Sequence, residues 1–388
     1  MRMVDISVVI AVCPAHHRDS LLGRCLRGVA EQTFGRNRCE VILVGDGVEL
    51  DPSLVPPGLS ARCYSFPSPV GLTRVRNQCL RLASAELVAF LDADAVPHPD
   101  WLLCLHDRLT EEGAAACGGA TRPTLDPGEH ENRIASSRYV LPCAGMNNVL
   151  FRKAVLEEVG GWDEALGFGA EEPDLCWRVC LKGHRFAHAA DAIVAHRTEV
   201  SMRKLRHYGR SLRHLERKFA AVLAISRRAE LRMLADAYRR LVGRGELSAL
   251  QLLAVAWGYG SAWLAEVVGR PPRLRPVDLT ERTLQAQQAV PVLAVTVDGR
   301  PLVRPNHVLW WTSDRGCSVV NLASRTRVEL EGVAGEIWTG LMRGETLAHV
   351  RAQLEGEYDV ATETLAADID ELLRALLGDG MLRAADAA

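Results

Sequence analysis

The chain has 388 residues, of which 48% are hydrophobic and 24% charged, with a formal net charge of −2. That length allows two or three domains with a sizeable core, and so ordinary a composition excludes a disordered or fibrous chain. The charge is unevenly spread: residues 201–244 carry 13 Lys/Arg against 3 Asp/Glu, and residues 328–388 carry 4 Arg against 13 Asp/Glu. Such asymmetry marks segments with different partners, or segments that dock on each other.

Ile6–Ile10 reads as a buried strand, and Leu21–Gln32 has apolar residues at helical spacing. Glu40–Val44 is a second strand, ending at Gly45-Asp46-Gly47. A helix over Thr73–Leu82 is entered from Gly71, and Glu86–Leu91 is a strand that runs out into Asp92-Ala93-Asp94. Alternating strands and helices predict a parallel sheet covered on both faces. Ligands of such sheets bind beyond the carboxyl ends of the strands, where Asp46, Asp92 and Asp94 all fall. Two carboxylates at the end of an apolar strand are costly unless paired, and a divalent cation carrying a diphosphate suits hard oxygen ligands so placed.

Residues 201–269 read as mostly helical. Their most apolar stretch, Leu247–Val268, has only 14 uncharged residues between Gln251 and Glu266, too few for a membrane span. A buried helix is expected there, with an interfacial helix as the alternative. Arg270-Pro271-Pro272-Arg273 breaks the helix and opens a linker. A second composition begins near Val290, with strand-like runs at 307–312, 318–322 and 327–330. Three helices follow, marked by Val333/Ile337/Trp338/Leu341, Leu347/Val350/Leu354 and Leu365/Ile369/Leu372/Leu376. The expected layout is a catalytic domain over 1–200, a helical extension over 201–270, a linker over 271–290 and a small domain over 291–388. Eleven cysteines without a CxxC pair point to free thiols in a reducing cytoplasm.

Six short pieces occur in order: Leu21–Leu26, Glu31-Gln32-Thr33, Asp46-Gly47, Gly71 with Arg76-Asn77, Asp92-Ala93-Asp94, and Gly161-Trp162-Asp163-Glu164 before Glu171-Glu172-Pro173-Asp174. Over roughly residues 5–200 the chain thereby resembles inverting family 2 glycosyltransferases of GT-A fold. The resemblance implies an α/β domain that transfers a hexose from a nucleotide-sugar, UDP by default, with Mn²⁺ or Mg²⁺. It implies that Asp92 faces the nucleotide, that Asp94 and His196 bind the metal, and that Asp46 reads the base. Arg76 would orient the nucleotide. Glu172 would be the general base, with Glu171, Asp174 and Trp162 on the acceptor side. Trp162 is equally readable as core and Asp174 as a helix cap. The chain departs from the family pattern at Gly45, where a second Asp is usual, and in the long loop Cys13–Arg18.

From about Arg300 to Arg383 the order of three strands and three helices, with Gly335-Glu336-Ile337-Trp338 and Gly378-Asp379-Gly380, resembles a PqqD-like domain, a small α+β winged-helix-like fold. The resemblance implies that the leader of a ribosomally made precursor peptide adds a strand at Val328, Glu329 and Leu330, against Leu365, Ile369 and Leu372 of the last helix. The peptide would be the acceptor, with Ser, Thr, Cys or a tyrosine-derived group all open. A saccharide or lipid-linked acceptor at a membrane surface is the alternative. The acidic C-terminal region argues against nucleic acid as a partner.

Overall fold

The computed structural model describes residues 4–14, 20–122, 145–196, 201–219, 248–276, 293–297, 300–305, 308–313, 316–321, 324, 326–358 and 361–384. These residues fall into two compact units. Residues 15–19 of the first loop and residues 277–290 of the expected linker lie outside the described set, as do residues 220–244 of the basic segment.

The first unit is built on strands β1 (Ile6–Val12), β2 (Cys39–Asp46), β3 (Ser60–Phe66), β4 (Leu87–Asp92), β5 (Val96–Pro97), β6 (Ala116–Arg122), β7 (Asn148–Arg152) and β8 (Phe186–Ala195), in the order β3-β2-β1-β4-β7-β6-β8-β5. The pairs β3-β2, β2-β1, β1-β4 and β6-β8 are parallel, and β4-β7, β7-β6 and β8-β5 are antiparallel. The sheet is therefore mixed and mostly parallel. The near-continuous apolar run of β1 follows from its place at the centre, buried on both faces. Register then brings the ends of β2 and β4 to one rim, because Val12 pairs with Gly45 and Ala11 with Asp92.

Helices α1 (Ser20–Ala30), α2 (Leu72–Leu82), α3 (Trp101–Glu111), α4 (Lys153–Glu158), α5 (Glu171–Leu181), α6 (Met202–Lys218) and α7 (Ala249–Val267) accompany this sheet. Leu22 and Leu26 of α1 and Trp101 and Leu105 of α3 pack with Ile6, Val8 and Ile10 in one apolar cluster. The helix α7 corrects the expectation of a buried helix. Leu252, Ala254 and Ala262 are buried, but Leu250, Leu253, Trp257 and Leu264 are exposed. Among the described residues no helix is long and apolar enough to cross a membrane.

The second unit holds β9 (Leu293–Val297), β10 (Arg300–Val303), β11 (Val308–Ser313), β12 (Gly316–Asn321), β13 (Thr326–Glu331), α8 (Val333–Met342), α9 (Leu347–Glu357), α10 (Thr362–Gly378) and β14 (Arg383–Ala384). The sheet β11-β12-β13 and the three helices fall where the sequence places them, with β13 at the edge. A second small sheet, β14-β10-β9, is an addition. Leu365 and Ile369 are buried with Trp338 and Leu341 in the core of this unit. They hold α10 in place and do not line a groove, which corrects their expected role. Leu330 is likewise buried, Val328 and Leu372 are half-buried, and Glu329 is exposed.

Candidate active site

The turn after β4 projects Asp92 and Asp94, and Ala95 donates its amide to the Asp92 carbonyl at 3.0 Å. β5 follows at once and pairs Val96 with Ala195, which sets His196 beside the turn. The His196 amide is also held by the Arg122 carbonyl at 2.8 Å. His196 Nε2 stands 3.2 Å from Asp94 Oδ1 and 3.8 Å from Asp92 Oδ2. Ligand atoms from Asp92, Asp94 and His196 all lie within 4.8 Å of one another. Two carboxylate oxygens and one imidazole nitrogen, converging from a partly open rim, form a donor set that fits Mn²⁺ or Mg²⁺. Burial disfavours the charged imidazole, but the Asp94 hydrogen bond and the two carboxylate charges outweigh it and hold the His196 pKa above its usual value. This is an acidic pocket asking for a cation.

Arg76 is the cation that the chain itself supplies. The second turn of α2 buries its guanidinium 5.9 Å from the Trp162 ring. Three carboxylates flank it: Glu171 and Glu172 at 3.7 Å each and Asp92 at 3.9 Å. At those distances it neutralises without direct hydrogen bonds, and its Nη1 has no hydrogen-bond partner among the described residues. A buried donor left unpaired is costly, so it is a position that a bound anion would satisfy.

Glu171 and Glu172 open the first turn of α5. Glu171 is buried, and burial with the neighbouring Glu172 charge pushes its pKa up to about 7. Glu172 is 26% exposed at its side chain and accepts the Met146 amide at 3.2 Å. Burial, opposed by Arg76 and assisted by Asp92, raises its pKa as well. Two adjacent carboxyls sharing one arginine titrate as a pair.

Three other expected site residues have structural partners of their own. Asp46 sits at the rim, but its carboxylate accepts the Val70 amide at 2.6 Å and the Gly71 amide at 3.3 Å, fixing the entry to α2. Trp162 is fully buried, its ring 4.7 Å from Phe90, so it is core and not an acceptor wall. Asp174 is buried too, paired with Arg178 at 2.7 Å and Lys218 at 2.5 Å. It anchors α5 to α6 and is withdrawn from any acceptor.

Asparagines unremarked as site residues complete the arrangement. Asn147 lies 3.2 Å from His196 Nδ1 and orients the ring. Asn148 is fully buried and bridges Trp101 Nε1 to the Ala120 and Ala192 carbonyls, tying β7 to β6 and β8. Neither carries a sequence signal, since lone asparagines usually read as turn residues.

Residues 7–157 match the family model described as Glycosyl transferase family 2, and residues 317–382 match Coenzyme PQQ synthesis protein D (PqqD). The chain thus carries one segment similar to family 2 glycosyltransferases and a second similar to PqqD. Over 224 residues it is 29% identical to a pre-mycofactocin glycosyltransferase of Mycobacterium tuberculosis, covering 51% of this chain and 44% of that protein. Over 204 residues it is 24% identical to the glycosyltransferase AglE of Haloferax volcanii, covering 48% of this chain and 66% of that protein. The chain thus spans less than half of the first relative's length and about two thirds of the second's. Among solved structures, the mannosyltransferase PcManGT of Pyrobaculum calidifontis, in complex with GDP-Man and Mn2+, is similar at 20% identity and a TM-score of 0.46, over 68% of this chain and 76% of that one.

Proposed function

We propose that this chain is an inverting, metal-dependent glycosyltransferase that moves a hexose from a nucleotide-sugar, with UDP as the default nucleotide, to a ribosomally made peptide held by the PqqD domain. The observation that carries the reading is the convergence of Asp92, Asp94 and His196 at the carboxyl rim of the sheet, within reach of the Arg76–Glu172 pair. Asp94 and His196 would hold the divalent ion, with Asp92 turned to the nucleotide. When bound, that ion supplies Lewis-acid stabilisation to the departing diphosphate. Arg76 neutralises phosphate charge from the buried side. Glu172 accepts the proton of the acceptor hydroxyl or thiol as that atom bonds to the anomeric carbon and the bond to the diphosphate breaks. The 29% identity to a pre-mycofactocin glycosyltransferase and the PqqD match support a peptide-derived acceptor.

The test is donor turnover against added Mn²⁺ or Mg²⁺. Wild type is expected to need the ion, and Asp94→Ala to lose roughly 10²-fold or more in turnover. Metal-independent turnover that Asp94→Ala leaves unchanged would remove the reading.

A further inference from the structure

Thirteen large apolar side chains are prominently exposed among the described residues, and seven of them lie between Leu250 and Val268. Leu250, Leu253, Trp257 and Leu264, with Val268 at the cap just past the helix, recur at intervals of three, four and seven, so they form one stripe along α7. Trp257 is 72% exposed and Leu250 is 70% exposed. The opposite side, through Leu252 and Ala262, is buried. There α7 meets α6 almost backbone to backbone. A side-chain carbon on Gly258 would run into the Arg206 carbonyl, and one on Gly209 into the Val255 carbonyl. α7 has no Lys or Arg, and its single carboxylate, Glu266, is paired with Arg213 at 2.7 Å.

α6 supplies what α7 lacks. Arg203, Arg206 and Arg210 are all exposed and together bear on His207, and the crossing at Gly258 brings the backbone of Arg206 and Arg210 against the residue next to Trp257. The pair therefore presents a long aliphatic and indole stripe flanked by a cationic row. An acidic protein surface would satisfy the cations and leave the stripe in water. A second copy related by a two-fold axis would cover the stripe but press two cationic rows together. An anionic lipid surface answers both, since the indole and leucines enter the headgroup boundary while the guanidinium groups meet lipid phosphates. α7 is 19 residues long and carries a paired carboxylate, so it would lie in the plane of the surface and not span it.

We infer that the packed α6–α7 pair is a peripheral docking surface for anionic membranes. The experiment is vesicle flotation of the full chain with phosphatidylcholine alone and with about 25% phosphatidylglycerol added. Wild type floats with the anionic vesicles, and at high salt the bound fraction falls. The double variant L253Q/W257Q is expected to weaken partitioning about tenfold or more, and R203E/R206E to abolish the preference for phosphatidylglycerol. These side chains are solvent-exposed, so both variants should keep the wild-type melting curve, and Asp94→Ala, which leaves this surface intact, should float like wild type. Failure of wild type to float overturns the inference. So does flotation that neither double variant weakens, or a dimer in light scattering that dissociates in L253Q/W257Q.

Discussion

Glu172 is the side chain whose surroundings say most about its chemistry. It is partly open to solvent, hydrogen-bonded to the Met146 amide and faced by Arg76. Glu172→Gln keeps the size and the acceptor for Met146 but removes the proton-accepting charge. Turnover is expected to fall by about 10²–10⁴-fold with nucleotide affinity nearly unchanged by calorimetry; near-wild-type turnover would place the base elsewhere. The pair also sets a pH dependence. Burial pushes Glu171 up to about 7 and raises Glu172 as well, so protonation of Glu172 on acidification would silence the proposed base, and activity should fall on the acid side of its profile. In Glu171→Gln the acid limb should stay in place, because the like charge that raises Glu172 comes from Asp92; a limb moved to lower pH would show that Glu171 carries it. Asp92 and Asp94 were legible because two carboxylates stood at a strand end, and Arg76 and the two glutamates were legible only through the resemblance of their motifs. Trp162 and Asp174 misled for one reason. A motif marks a required residue without saying whether it faces substrate or core.

The clamps between elements explain much of the motif. Asn77 on α2 accepts the Trp162 amide at 2.9 Å and donates to the Trp162 carbonyl at 3.1 Å. Gly161, at φ +67°, is required because a Cβ there would strike Asn77. Gln32 at the end of α1 likewise grips the His98 carbonyl and the Leu102 amide beyond the paired carboxylates. β1, α1, β2, α2 and β4 were readable from apolar period, whereas β3, β6, β7 and the β9–β10–β14 sheet were not; β3 is largely exposed, and Gly118-Gly119 and Pro301 blur the pattern of β6 and β10. A third clamp gives a stability prediction. Lys218 of α6 is 1% exposed and meets Asp163 at 2.8 Å and Asp174 at 2.5 Å. Lys218→Met strands two buried carboxylates and is expected to cost about 3–5 kcal/mol in denaturant unfolding at neutral pH. Burial pushes the Asp163 pKa up, but Lys218, with the Ala165 and Arg275 amides, outweighs that and lowers it. That contribution is present above the unfolded carboxyl pKa and is lost as pH falls through the lowered one. The variant should therefore lose less stability than wild type on acidification. An unfolding midpoint equal to wild type would show the ion pairs to be idle.

On the proposed reading, a transferase segment and a PqqD-like segment on one chain make sense when the acceptor is weakly bound at the reacting end and tightly bound at a distance. An edge strand such as β13 can take up an extended peptide through backbone hydrogen bonds, with the exposed Glu329 and the half-buried Val328 and Leu372 beside it. The net acidic charge of residues 328–388 would favour a basic segment there. Tethering would then turn the encounter of the core peptide with the proposed base, Glu172, into an intramolecular event. The expected outcome is kinetic. Removing the leader from a precursor peptide should raise KM on the order of 10²–10³-fold while kcat changes little, because tethering supplies concentration and not transition-state contacts. Adding the leader as a separate peptide should inhibit glycosylation of the full precursor competitively and leave hydrolysis of the nucleotide-sugar untouched. Equal kcat/KM for precursor and core would detach the PqqD domain from acceptor capture, while the metal requirement at Asp94 would still decide the chemistry of the first domain on its own.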